Sequence, residues 1–429
     1  MSSAVEKLPG SGRLDVSASK ALGERLSDFE AMAALRAAAA KLAVAMEMPR
    51  QVERPWKYLD VSTLSLDGYA PGVDAQGGDA PIVNGASVAA LAQVNSETLS
   101  AVTRDPGVTV VDFADADDRQ KGVIARHLGK VVVANKNKFT ALHYAFLRGG
   151  VLVELAHDVE AKEPVRIVRE YRAEKQLATP HTLIVAGANS RVHVIEDYRS
   201  GEGDMVAVPA VEIVPGPGAE VRYTVLHRWG ANTKVFGEQR TITERDSAVV
   251  SLSVATGGRV VKSHITSSLE GRGSSSELFG LIVGDGREHI DFYTLQDHIG
   301  PDTRSDLLFK SALNGESRSV YYGMTRIGLG AQNADANQED RNLLLSPMAK
   351  ADSDPVLEIL TNNIIRAAHG ATAGPVDEDQ LFYLESRGIP HEQAEDMLVH
   401  AFLGQVLDRV PDEALREELA VALDAKLAI

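Results

Sequence analysis

Between Val123 and Ile327 the chain is cut into short β-rich runs, and this texture limits the possible folds more than any other feature. The runs KVVVAN, GGVLVELA, VRIVREY, HTLIVAG, SRVHVIEDY, VAVPAVEIVPG, AEVRYTVLHRW, SAVVSLSVA, RVVKSHITSSL, SELFGLIVG, EHIDFYTLQDH and SRSVYYGMTRI are mostly set apart by clusters of Gly, Asn, Asp or Ser. Such clusters turn the chain, and the β-branched and aromatic residues between them favour extended backbone. Many short, similarly spaced strands make a sandwich, a barrel or a β-helix. A β-helix would follow from strand pairs recurring on the order of twenty residues apart, with inward Val, Ile and Leu stacked as ladders. Pattern alone leaves the three open. Helical character inside this region is confined to a short element around Asn137 to Arg148.

Both flanks read differently. From about Lys20 to Met48 the chain is rich in Ala and Leu, with Leu22, Leu26, Phe29 and Ala33 at helix-compatible spacings, and the pattern stops near Pro49. Trp56, Tyr58 and Leu59 follow as an anchor between the N-terminal helices and the body. Gly68 to Gly85, with several Gly and Pro residues, reads as a loop or linker. Beyond Gly370, Asp377, Glu378 and Asp379 crowd a helix start and Arg387-Gly388 suits its end. A second helix is expected from His391 to Val410, with Met397, Leu398, Ala401, Phe402 and Val406 on or near one apolar stripe. Pro411 opens a third, in which Leu415, Leu419, Leu423 and Leu427 fall four apart. That face needs a cover, either its own neighbours or a partner subunit.

Bulk properties exclude several roles. With 429 residues, 44% of them hydrophobic, the chain can bury one large core or several smaller ones. A formal charge of -16 argues against general affinity for nucleic acid or an anionic membrane. No apolar run approaches the roughly 20 residues that span a bilayer, and MSSAVEKLPGSG lacks the apolar core of a signal peptide, so a cytoplasmic location is expected. There is no cysteine, hence no disulfide, thiolate ligand or persulfide carrier on this subunit. GDGREH and GGRVVK lack the phosphate-loop pattern, and neither HExxH nor a nucleophile elbow is present. No enzyme constellation emerges.

The segments HITSSLEGRGSSSELFG (264–280), TLQDHIGPDTRSDLLFK (294–310), NQEDRNLLLSPMAKADSDPVLEI (337–359) and His369 to Ile389, with WKYLD at 56–60, together resemble the SufB/SufD family of iron-sulfur cluster assembly scaffolds. The length and compact N-terminal region look more like SufD than SufB. The resemblance implies a right-handed parallel β-helix core over 121–365, a mainly helical region with linker over 1–120, and a helical SufC-binding region over 366–429. It also implies a non-catalytic subunit that pairs with a SufB-like partner in a SufBCD complex. ATP hydrolysis would reside in SufC, and iron or a cluster would be held only transiently at the partner interface, with no tightly bound cofactor. For the isolated chain the resemblance leaves a homodimer open.

One departure stands out. SufD-like proteins often read Cys-Ser-His-Gly where this chain has Ala367-Ala368-His369-Gly370. Alanine neither ligates iron nor accepts sulfur, so a thiol needed there must come from the partner. His369 keeps the matching place and is the candidate iron ligand. Glu358 could add a carboxylate near it, though a salt bridge or plain exposure accounts for it more simply. Asp297 and His298 are neighbours on a strand and point to opposite faces, which makes them a poor shared chelate. Phe382, Tyr383 and Arg387 are the candidate SufC contacts, with Tyr383 and Arg387 expected on the outside. Two alternatives remain: a structural paralogue with no direct cluster role, and a β-helix carbohydrate enzyme using Asp285, Glu288, Asp291 and Asp306.

Overall fold

The computed structural model describes residues 14–71, 79–410 and 412–427. The MSSAVEKLPGSG segment and part of the Gly68–Gly85 stretch therefore lie outside the described residues.

Two sheets, one of twelve strands and one of ten, run along the molecule. Every strand pairing is parallel except Ala89–Val94 with Glu97–Thr103 and Val108–Asp112 with Gly150–Leu155. Parallel neighbours in one sheet are never consecutive in sequence: Val260–Leu269 is followed by His289–His298 and then Arg318–Ile327 in the twelve-stranded sheet. The intervening strands Ser275–Gly284 and Arg304–Leu313 belong to the other sheet. The chain thus winds from sheet to sheet and climbs one rung per turn, which is a parallel β-helix. Its repeat is roughly thirty residues, longer than the spacing read from sequence. Side-chain ladders follow that period, as in the bonds Asn314 to Asp285, 29 residues apart, and Asn333 to Asp302, 31 apart.

Val, Ile and Tyr fill the early rungs, including Val165, Ile167, Val194, Val221, Tyr198, Tyr223 and Ile213, all nearly solvent-free. Later rungs change character: Gln338 takes a bond from Thr325 at 3.0 Å and donates to the Gly323 carbonyl at 3.0 Å inside the helix.

Seven α-helices flank the sheets among the described residues. The expected first helix is two, α1 (Val16–Leu26) and α2 (Glu30–Ala45), because Ser27 turns left-handed at φ 54° and stops α1. Buried Arg36 on α2 holds the corner by donating to Asp28 and to the Ala145 and Leu147 carbonyls. Next come α3 (Asp118–His127) and α4 (Lys138–Ala145), the latter capped by Asn137. The run KVVVAN is not a strand. Glu212 accepts the backbone N–H groups of Gly129, Val131 and Val132, so a buried carboxylate replaces a neighbouring strand.

The expected anchor at 56–60 is a strap over the twelve-stranded sheet. Trp56 stacks on Phe139 at 5.3 Å, and Phe139 on Phe236 at 4.0 Å. Lys57 and Tyr58 reach Asp354 at 3.0 and 2.9 Å.

On the other side, α5 (Glu378–Ser386) leads to α6 (His391–Leu407) and α7 (Glu413–Leu427). Val399, Leu403 and Val406 of α6 and Leu415, Leu419 and Leu423 of α7 share one core with Leu226, Leu252, Phe279 and Leu281 of the ten-stranded sheet. The four-spaced leucine face is therefore covered by its own subunit, with each buried leucine worth about 2 kcal/mol. Lys310 donates to the Phe402 carbonyl at 2.7 Å, while Arg228–Glu418 and Lys426–Glu288 pin α7 at 2.6 and 2.7 Å. No helix among the described residues is long and apolar enough to cross a membrane.

Candidate functional site

The β-helix ends on two strands that each have one neighbour only. The penultimate strand Lys350–Ile359 pairs with Arg318–Ile327, and the last strand Ile364–Gly374 pairs with Ala334–Leu344. Their outer edges carry unpaired backbone groups, and none of their residues is buried, unlike most of Arg318–Ile327 and the inward positions of Ala334–Leu344 beneath them. An uncovered edge of this kind is a template for another chain. The two edges are not equivalent. Pro355 removes an N–H from the penultimate strand, whereas the last strand has no proline.

Register fixes where each side chain on the last strand faces. Val194, Tyr223, Ser251, Leu278, Leu307, Gln338 and His369 pair successively in one column. All but the last are buried, and Leu278 and Leu307 share a core with Phe292 and Tyr321 of the opposite sheet. His369 thus occupies an inward position, yet it is exposed because no further rung covers it. Alternation places Ala367, Ala371 and Ala373 on the same face. His369 is the one side chain of that row that can bind a cation or exchange a proton.

Glu358 is elsewhere. It pairs in register with Arg326, whose Nε lies 3.8 Å from its carboxylate, on the outer face of the twelve-stranded sheet. Glu358, on the outer face of the twelve-stranded sheet, and His369, on the inward face of the ten-stranded sheet, are therefore not brought together. Arg326 also lies 3.7 Å from Asp297. Burial raises the Asp297 carboxyl, with Arg326 and Arg240 opposing that shift. His298, one residue on, points inward between the Thr303 and Ser305 hydroxyls, both at 2.9 Å. Burial lowers its imidazole to about 4, so it stays neutral and structural. The four acids considered for a carbohydrate site also fail to converge. Asp291 pairs with Lys262 at 2.7 Å beneath the strap, Glu288 holds Lys426, Asp285 accepts from Asn314, and Asp306 accepts from Asn337. Asp291 and Asp306 belong to different sheets. Among the described residues no three His, Cys, Asp or Glu side chains gather closely enough to hold a metal ion.

Asp340 was missed from sequence. It faces inward one rung below the open end, paired in register with Ala371, and is 2% exposed. Its Oδ2 accepts from Asn342 Nδ2 at 2.8 Å and from the Ser353 hydroxyl. Burial raises the carboxyl to about 6 against those two bonds. The clue was the alternation in ADANQEDRNLL, where Ala334, Ala336, Gln338, Asp340 and Asn342 share the buried parity.

Directly after the last strand, Asp377 caps α5 by accepting from the Asp379 and Gln380 amides, both at 3.0 Å. No residue of α5 is buried. Phe382 is 71% exposed and Tyr383 56%, so both aromatics face outward. Arg387 lies over the Tyr383 ring at 5.1 Å and donates to its hydroxyl at 3.2 Å. The turn at Gly388 is left-handed, with φ 87°. Glu385 then meets His391 Nδ1 at 2.6 Å, which ties α5 to α6 and raises the His391 imidazole.

The family model described as SUF system FeS cluster assembly, SufBD core domain, matches residues 169–402, which takes in most of the β-helix, the open end, α5 and most of α6. The chain is 29% identical over 335 residues to the iron-sulfur cluster assembly protein SufD of Bacillus subtilis, covering 77% of this chain and 76% of that protein. It is 31% identical over 300 residues to an iron-sulfur cluster assembly SufBD family protein of Mycobacterium tuberculosis, covering 68% and 75%. The match to SufB of Bacillus subtilis is 26% over 309 residues, covering 72% and 66%.

Proposed function

Because this chain belongs to the SufB/SufD family of iron-sulfur cluster assembly proteins, we propose that it acts as the SufD-like scaffold subunit. In this reading it pairs with a SufB-like subunit through the open end of its β-helix. It recruits a SufC-like ATPase through α5, with Phe382, Tyr383 and Arg387 in contact. Iron or the nascent cluster is cargo, held at the junction with His369 as this chain's ligand. Glu358 takes no part and serves as the outer-face partner of Arg326.

One observation carries the reading: an unpaired, proline-free edge strand holds His369 at the end of an inward column and runs within a few residues into a helix with no buried side chain. Such an edge is completed by β-pairing with another chain. A thiol-free row of alanines around His369 supports a second reading, a structural paralogue that completes the complex without touching the cargo.

The test is co-expression with the SufB-like and SufC-like proteins of the same cell, measuring complex mass and reconstituted cluster yield for wild type and His369→Ala. An intact complex with reduced yield supports the ligand role. Full yield in the intact variant complex leaves the structural paralogue, and no mixed complex at all removes the scaffold assignment.

A further inference from the structure

We propose that the partner surface receiving α5 is an apolar pocket rimmed by lysine and arginine, so that docking is steered by charge and anchored by Phe382 and Tyr383; this rests on the reading of α5 as the docking arm. A helix of nine residues is marginal by itself, and this one buries nothing in its own subunit. It is kept in shape by the Asp377 cap, the Arg387–Tyr383 contact and the Glu385–His391 tie. Two outward aromatics on a preformed helix are the usual centre of a binding patch.

Apart from Arg387 over the Tyr383 ring, the charge around them is acidic. Asp, Glu, Lys and Arg between Asp377 and Lys426 leave this short segment with most of the chain's net charge of -16. On α7 and just before it that charge is compensated in part by the sheet, through Arg228–Glu418 and Arg166–Asp412. On α5 and the first turns of α6 it is not: Glu378, Asp379, Glu392 and Glu395 are exposed or half-exposed and form no ion pair among the described residues. A second copy of this chain would bring like charge against like, which disfavours self-association through this face. A basic rim around an apolar pocket satisfies both features. The carboxylates would speed encounter, and the aromatics would set the lifetime of the complex.

The experiment measures association and dissociation of the full chain with the purified SufC-like ATPase at several salt concentrations. Wild type is compared with a Phe382→Ala/Tyr383→Ala double variant, a Glu378→Lys/Asp379→Lys double variant and an Asp67→Lys control on the far N-terminal region. Circular dichroism confirms that each variant is folded. The proposal expects the aromatic variant to dissociate about tenfold faster or more. It expects the charge variant to associate about tenfold more slowly at low salt, with a flatter salt dependence, and the control to match wild type. Binding that needs the aromatics yet ignores salt and charge reversal overturns the basic rim and leaves the docking arm standing. Binding indifferent to the aromatics, or absent in wild type, overturns both.

Discussion

Replacing Asp340 with Asn should stabilise the end of the β-helix, and more so as pH rises. The carboxyl is buried, takes two neutral hydrogen bonds on one oxygen, and has no cation among the causes of its shift. Burial therefore dominates and raises it from 3.8 to about 6. Below about pH 4 folded and unfolded chains both hold the proton, and this group costs nothing. Between about 4 and 6 the unfolded chain has released a proton that the folded chain keeps, so stability falls with rising pH. Above about pH 6 the loss levels off near 3 kcal/mol, from 1.36 kcal/mol for each pH unit between the two values. The replacement amide is uncharged and keeps an oxygen for Asn342 and Ser353. Its advantage over wild type should grow by about 1.5 kcal/mol from pH 5 to pH 8, or roughly tenfold in local opening. Hydrogen exchange of the segment 334–344, wild type against variant at each pH, cancels the intrinsic pH dependence of exchange. An advantage that is flat or shrinks toward pH 8 would show that the carboxylate is compensated in a way these contacts do not supply.

Two further substitutions test the packing that positions the site. Trp56→Ala removes the ring that stacks on Phe139; a loss of about 3–5 kcal/mol is expected on chemical denaturation, with the strap released from Asp354 and the strand Lys350–Ile359 exchanging faster. Leu419→Ala opens a cavity between α7 and the ten-stranded sheet; it should cost about 2–5 kcal/mol locally and raise protease sensitivity in α7 while leaving exchange in the N-terminal rungs unchanged.

The strand texture between Val123 and Ile327 marks a β body of short segments broken by turns but leaves sandwich, barrel and β-helix open; the β-helix follows from the family resemblance and is seen in the parallel pairing. The longer true period is hidden in the sequence, since each rung spends its residues on two strands in different sheets. Four strands before residue 121 join the sheets as well, and Gly- and Pro-rich surroundings mask these short segments in the sequence. KVVVAN has the composition of a strand, which cannot reveal that Glu212, eighty residues from Val132, satisfies its amides. At the site, Asp297 and His298 face opposite ways because alternation along one strand is local and legible in the sequence. Glu358 and His369 lie on strands of different sheets, so their relative facing depended on register that no single segment encodes. The outward placement of Tyr383 and Arg387 is legible in the sequence, whereas Phe382, more exposed than Tyr383, reads as core in any hydrophobicity pattern.

The alanine row makes a sharper demand on the proposed partner. Iron in assembled clusters is held mainly by four thiolates or by thiolates with imidazole. This chain offers one imidazole and three alanines on the inward face of its last strand, so in the proposed complex the remaining ligands would come from across the junction. Ala367→Cys would set a thiol two positions from His369 on that face, about 7 Å away along the strand. The spacing allows both to approach one cluster without completing its coordination. In the isolated chain, iron and sulfide should therefore produce no stable thiolate-to-iron absorbance, while the mixed complex carrying Ala367→Cys should retain more cluster than wild type after desalting. A stable cluster on the isolated variant would mean that this end is a complete site by itself. The argument that the partner supplies the rest of the ligands would then be wrong.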